Sequence, residues 1–498
     1  MKNNKPIPCG SSLPQNNPHA VSVHFETIAD VIAFEENDAE MLNKMESGYP
    51  RFKMNRLLEK AYNIAKKENN ISDEFELLPI SSDAAFDKIR RIVSGEIKKI
   101  TCDGLRFAAL PKQAEYFQDV KYLIQHSGMI PSSRKAEDFL LNRGILGSEF
   151  IEEKHPAEGA EQEIKEILSN AYGFSTQDDV FLCTAGMNSV YSVFEAIKTT
   201  RQNEGRNIFI QAGWLYLDTM EILRKYSSSV FKYFNPMALH ELEKYIEENH
   251  SNIAAIFTEI PNNPSISCFD LPGLSEIAKK HNIALVIDST MATPFNAKIF
   301  PYADVVVESL TKFACGYGDV LMGAIVLDNQ SEIANSLKQE ISRLHEKPYM
   351  KDIRRLAFEI KDYEQRVKTV SKNTLALATY FASKPQIKKI SWALDDISKS
   401  NFLKIRKSND DVPGLISIVF DKDLHYYFDK LNLAKGPSLG TDFTLAMPYV
   451  YLAHYGMLQT EEGKKMLSEN GIDKELLRVS VGLENVDDII AVFEEALN

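Results

Sequence analysis

The stretch Ala303–Gly318, ADVVVESLTKFACGYG, decides the fold. Val305, Val306 and Val307 are apolar and β-branched, and Ser309-Leu310-Thr311-Lys312 leads from them into a glycine-bearing loop. The pattern predicts a buried parallel strand with Lys312 at or just past its carboxyl end. Open α/β sheets bind ligands outside those ends. A lysine withdrawn from water there has a lowered pKa and a free amine for Schiff-base chemistry. Ser309 and Thr311 set two hydroxyls beside it, which suits a phosphate. In isolation Ser-x-Thr-Lys reads more readily as a surface loop. The rest of the chain reverses that reading.

Upstream, DVFLCTAG predicts a strand and MNSVYSVFEAIKTTRQ a helix. NIFIQAG, AAIFTEI, ALVIDST, DVVVES and LMGAIVLD continue the strands, with helical patterns such as LDTMEILRKY and LSEIAKKH between several of them. This alternation predicts an α/β fold, a mainly parallel sheet with helices on both faces. After it, a long helical region over about 330–384 leads to a second strand set, LISIVF and LLRVSVG, which predicts a smaller C-terminal α+β domain. Before it, about 73–170 is mixed, with strand candidates such as LRFAAL.

With 498 residues the chain exceeds one simple core. Its net charge of -13 offers no basic field, which argues against nucleic acid or an anionic membrane as partner. No apolar run approaches the ~20 residues of a bilayer span. The first twenty residues lack a signal-peptide core. Five scattered cysteines form no CxxC pair, which fits reduced thiols in a cytoplasmic protein and no zinc site.

Four more strand ends carry chemistry. Gly186 and Met187 sit between a strand and a helix, where free N–H groups and the helix dipole attract anions. Asp288 ends ALVIDST, and a carboxylate there needs a cationic partner. Tyr216, in GWLYLDT, offers a ring for stacking. Asn263, in EIPNNP, could donate to a phenolate oxygen. Each is weak alone. In order, phosphate loop, aromatic, Asn, Asp and Ser-x-Thr-Lys are what a pyridoxal phosphate (PLP) site needs. The phosphate is held, the ring stacked, its nitrogen paired with a carboxylate, and its aldehyde bonded to lysine.

The chain resembles the Cys/Met-metabolism family of PLP enzymes, fold type I. VIDSTMATPF, SLTKFACGYGDVLMG and LLRVSVGLENVDDII carry that resemblance. Within the family it is similar to fungal-type cystathionine γ-synthases through HAVSV, GYPRF, QHSGMIPSSRKAE, YLDT, EIPNNP, KGPSLGTDFTLAMPY and LAHY. The resemblance implies that Lys312 bonds the cofactor and shuttles protons, and that Asp288 holds the ring nitrogen. It implies that Gly186, Met187, Ser309 and Thr311 hold the phosphate, and that Asn263 lies near the phenolic oxygen. Tyr216 is the implied stacking tyrosine, with Trp214 its rival. Tyr49 and Arg51 resemble a pair that reaches the phosphate of a neighbouring subunit, which implies at least a dimer, usually a tetramer. Arg478, with Ser438, is implied to bind the substrate, the arginine gripping its α-carboxylate. The implied organisation is an arm over 1–72, a large PLP domain over 73–345 that includes the inserted block, and a C-terminal domain over 346–498. Phe443 stands where the wider family carries a glutamate. Ser132, Ser133 and Arg134 are read either as substrate contacts or as an ordinary helix start.

The expected reaction is γ-replacement, in which an acylated or phosphorylated L-homoserine is joined to L-cysteine to give cystathionine. Rival readings are sulfhydrylation with sulfide, β- or γ-elimination, and a catalytically inactive binding protein of the same fold.

Overall fold

The computed structural model describes residues 6–498. Seven strands form the main sheet, in the order Val180–Cys183, Gly323–Leu327, Val305–Glu308, Ala284–Asp288, Ile253–Glu259, Ile208–Ala212 and Ser229–Tyr233. Gly323–Leu327 runs against its two neighbours, and the other pairings are parallel. Every residue of Ile253–Glu259 and of Val305–Glu308 is buried, as expected of strands covered on both faces. The edge strand Ser229–Tyr233, SVFKY, is half-exposed and carries too little apolar patterning to have been read from sequence.

A second sheet of five strands runs Ile387–Ser391, Leu415–Phe420, Leu477–Ser480, Leu445–Pro448, Ala434–Lys435. Its middle strand carries Arg478, flanked in register by Ser417 and Met447. The expected single helical region before it is three helices, Glu332–Leu344, Met350–Glu359 and Tyr363–Ala382. Pro348 lies in the first break, where its ring and missing N–H stop a helix. A 3₁₀ turn, Ile360–Asp362, makes the second.

The block near 73–170 holds its own antiparallel sheet, with Leu105–Pro111 between Phe75–Ile80 and Lys98–Cys102. Leu77, Leu105, Phe107 and Phe139 pack there with Leu57, Leu58 and Ala61 of the preceding helix Arg56–Glu68. Arg134 is a structural residue of this block. It is 1% exposed, donates to both Glu152 oxygens at 2.7 Å, and donates to Asp352 at 2.9 Å. Ser132 caps the helix Ser133–Asn142, so the helix-start reading holds for this segment.

The first residues described lie across both sheets. Ser12–Leu13 pairs with Ser22–Val23. Val21 N donates to Gly318 O at 2.9 Å, Phe25 N to Lys435 O at 2.8 Å, and Ser22 Oγ to Pro437 O at 2.6 Å. All five cysteines are free. Among the described residues no helix is long and apolar enough to cross a membrane.

Candidate active site

The carboxyl ends of the main strands open onto a cavity of about 460 Å³, closed on its far side by the second sheet and the N-terminal segment. Eleven of the twelve candidate residues line it: Tyr49, Arg51, Gly186, Met187, Tyr216, Asn263, Asp288, Ser309, Lys312, Ser438 and Arg478. Thr311 is the exception and lies off the cavity wall. Its hydroxyl donates to Met322 O at 3.2 Å and accepts from Met322 N at 3.0 Å. The turn after Val305–Glu308 therefore points Ser309 and Lys312 at the cavity and uses Thr311 to pin the loop behind it.

Lys312 Nζ donates to Ser438 Oγ at 2.8 Å and to Tyr49 Oη at 3.3 Å. Burial pushes the lysine pKa below its usual range; Tyr49 opposes that shift, and Arg478 and Arg51 reinforce it. The Tyr49 phenol is pushed up by burial but pulled down further by Lys312 and Arg51, so its net shift is downward. Ser438 holds a left-handed backbone, φ 86°, which costs a non-glycine residue strain and is tolerated where surroundings fix it. The Ser438 carbonyl accepts from Arg478 Nη2. Two residues on, a side chain at Gly440 would lie 2.6 Å from Phe313 N, so glycine is required for this close approach.

Gly186 opens the helix Gly186–Gln202 immediately after a strand, and Ala185 offers no side-chain cap. The N–H groups at this helix start are thus left for a ligand. A Cβ at Gly186 would lie 2.7 Å from Ser309 Cβ, so the glycine keeps the cradle open.

Asp288 ends its strand opposite Glu259 of the neighbouring one. Its Oδ1 accepts from Thr290 N at 2.9 Å, and it makes no ion pair. Burial raises its pKa, against Thr290 and Lys312. A buried acid of this kind needs a cation from outside the chain. Tyr216 Oη accepts from Arg51 Nη2, and its ring lines the cavity. Trp214 does not. It packs at 5.4 Å on His454 and at 6.0 Å on Phe234, which removes it as the stacking candidate.

Arg478 is 3% exposed and forms no ion pair among the described residues. Nη1 donates to Asn263 Oδ1 at 3.3 Å, and Nε is buried without a partner. Burial lowers its pKa to about 10. An uncompensated buried guanidinium is costly, and a substrate carboxylate would satisfy it. Phe443 lies off the cavity, against the cluster of Leu13, Ala434 and Leu445. Tyr49 and Arg51 line the cavity of their own chain, and the segment before them is bonded through Val21, Ser22 and Phe25 to Gly318, Pro437 and Lys435.

Sequence reading missed Glu259, whose Oε1 accepts from Tyr216 N at 2.5 Å while Oε2 is buried without a partner. Its signal was the one that marked Asp288, an acid ending an apolar strand. Asp218, the partner of Arg51, carried no such signal.

The donor set fits PLP. An open N–H cradle, the buried carboxyl of Asp288, a ring-bearing wall and a lysine amine whose pKa burial lowers face one space. The family described as Cys/Met metabolism PLP-dependent enzymes matches residues 171–498. An L-2-amino-4-chloropent-4-enoate dechlorinase/desaturase of Streptantibioticus cattleyicolor is 34% identical over 484 residues, covering 96% of both chains. A cystathionine gamma-synthase of Neurospora crassa is 26% identical over 618 aligned positions, covering 99% of this chain and 98% of the relative. The fold is that of a solved Xanthomonas oryzae cystathionine gamma synthase, with TM-score 0.58 and 19% identity over 68% of this chain and 86% of the other. A Campylobacter jejuni structure described as a putative O-acetylhomoserine (thiol)-lyase with pyridoxyl-lysine phosphate aligns with TM-score 0.58 and 22% identity, over 72% of this chain and 91% of the other. The chain is therefore a fold type I protein and belongs to the Cys/Met metabolism family of PLP-dependent enzymes.

Proposed function

We propose that this enzyme works at the γ-carbon of an amino acid, replacing the acyl or phosphoryl leaving group of an activated L-homoserine with the sulfur of L-cysteine. The observation that carries the reading is Arg478, a buried guanidinium without an anion beside a buried lysine amine. The full-length similarity to cystathionine gamma-synthases supports it.

Bound in the cavity, PLP would supply an electron sink that acidifies the substrate's Cα and Cβ hydrogens. Gly186, Met187 and Ser309 would hold its phosphate, Asp288 its ring nitrogen, and Asn263 its phenolic side. Tyr216 would face its ring. Arg478 grips the substrate α-carboxylate and fixes which Cα bond faces Lys312. Lys312 Nζ, its pKa lowered by burial, would take the Cα proton, give it up to the bound cofactor, and so be free to take a Cβ proton. The leaving group departs from Cγ, the cysteine sulfur bonds there, and Lys312 returns the protons. Tyr49, 3.3 Å from Nζ, is placed to share each proton with it.

A second reading, γ-elimination without a nucleophile, is favoured by the similarity to a dechlorinase/desaturase over 96% of the chain. We also propose the three-part domain division above and a cytoplasmic homo-oligomer, dimer or tetramer. Purified enzyme given O-acetyl- or O-succinylhomoserine, with and without cysteine, tests the reaction. Cystathionine formed only with cysteine supports γ-replacement. Ammonia and 2-oxobutanoate formed regardless of cysteine assign elimination instead.

A further inference from the structure

The inserted block ends one of its helices, Phe117–Ser127, against the cavity's anion cradle. Gly128 follows in the left-handed conformation, φ 64°, and a Cβ there would lie 3.0 Å from both Ala185 Cβ and Asn188 N. Thr184 Oγ1 donates to Gly128 O at 3.1 Å, and Asn188 Nδ2 to Ser127 O at 3.2 Å. The helix end is thereby bonded to both sides of the Gly186 turn.

From that end two groups reach toward Arg51. Gln125 O accepts from Arg51 Nη1 at 3.1 Å. His126 Nδ1 lies 2.6 Å from Asp218 Oδ1, and the other Asp218 oxygen pairs with Arg51 Nη1. Asp218 is 0% exposed. Burial opposes its ionisation, but Arg51 and His126 outweigh burial and keep it charged. His126 is itself 4% exposed and stacks on Tyr122 with ring centroids 5.6 Å apart and planes 13° apart. The guanidinium has few remaining directions. Nη2 reaches Tyr216 Oη, and the cation sits at a helix carboxyl end, where the dipole favours it.

We propose that the inserted block supplies an arginine clamp. His126, acting through Asp218, and the Gln125 carbonyl are positioning elements that hold at the anion cradle the Arg51 guanidinium, which the family resemblance already assigns to the cofactor phosphate. The inference rests on the reading that the Gly186 turn binds that phosphate. It gives the block a task in cofactor retention, and it makes the Tyr216 hydroxyl part of the same assembly.

The test compares PLP with pyridoxal, which lacks the phosphate. Apoenzymes of wild type, His126→Ala, His126→Asn and Asp218→Asn are titrated with each, and bound cofactor is read from visible absorbance. Far-UV circular dichroism and thermal melting check that each apoenzyme is folded. The clamp predicts PLP affinity reduced on the order of tenfold or more in His126→Ala and Asp218→Asn. Pyridoxal affinity should stay unchanged, and His126→Asn, which keeps a donor near the Nδ1 position, should recover part of the loss. Equal losses for PLP and pyridoxal, or no loss in folded His126→Ala, overturn the clamp. If Asp218→Asn does not fold, the two His126 variants decide alone. Wild-type apoenzyme that binds pyridoxal as tightly as PLP overturns the phosphate reading of the cradle, and the clamp with it.

Discussion

Glu259 and Asp288 are register partners at the carboxyl ends of adjacent parallel strands, so two acids share one buried edge. Both cannot ionise cheaply there. Burial first, and then Asp288, pushes Glu259 well above the usual carboxyl range, against a single bond from Tyr216 N. Burial raises both acids, Glu259 well above the usual carboxyl range, while Thr290 and Lys312 oppose the rise at Asp288. Glu259→Gln is expected to keep kcat/KM within about threefold of wild type, since the amide oxygen can still accept from Tyr216 N. Asp288→Asn is expected to lower kcat by on the order of 10² or more. Steady-state kinetics of the two variants check this. The idea fails if the two lose activity alike.

Arg478 gives a prediction in which stability and function move apart. A buried cation without a partner costs folding free energy. Arg478→Met should leave the melting temperature unchanged or raise it, while KM for the amino acid rises on the order of 100-fold. A large fall in melting temperature would show that the guanidinium serves the fold and not the substrate.

Gly186→Ala would place a methyl 2.7 Å from Ser309 Cβ and 3.0 Å from both Ser309 Cα and Ser309 Oγ. Cofactor affinity should fall by on the order of tenfold or more with little change in the apoenzyme's melting point. Equilibrium dialysis against PLP reads the first, and calorimetry of the apoenzyme the second.

Glu308 titrates within the structure. It accepts from Tyr172 and Tyr363, each at 2.5 Å, and burial still raises its pKa from 4.5 to about 7. A carboxyl raised in the folded state binds its proton more tightly folded than unfolded. Its contribution is full below about pH 4.5 and is lost as pH rises through about 7. The loss is on the order of 3 kcal/mol at most. Denaturant unfolding between pH 5 and 8 should show this decline, and Glu308→Gln should flatten it. A wild-type stability that rises across that window refutes the assignment.

Most of the main sheet was legible because most of its inner strands are largely apolar runs closed by a polar residue. Asp288 and Lys312 were readable from that punctuation taken over several strand ends together, and Arg478 only through resemblance. Ser229–Tyr233 was not legible, since an edge strand buries little. The fate of Thr311 was hidden too. A hydroxyl two residues after Ser309 looks equivalent in sequence, and only the turn shows that Met322 claims it. Asp218 and His126 lie 92 residues apart, and nothing local to either announces the other.

The segment that brings Tyr49 to Lys312 is itself held at Lys435 and Pro437, just before Ser438. The pocket wall is therefore a seam between an early stretch and a late one, and Arg478 closes it from later still. During synthesis a ribosome would release every strand of the main sheet before that seam could form. The substrate-binding end of the pocket is thus the last part of the site to be synthesised. A chain stalled after residue 330 would hold Lys312 and Asp288 yet lack Ser438 and Arg478, so its exposed amine would meet aldehydes without selection.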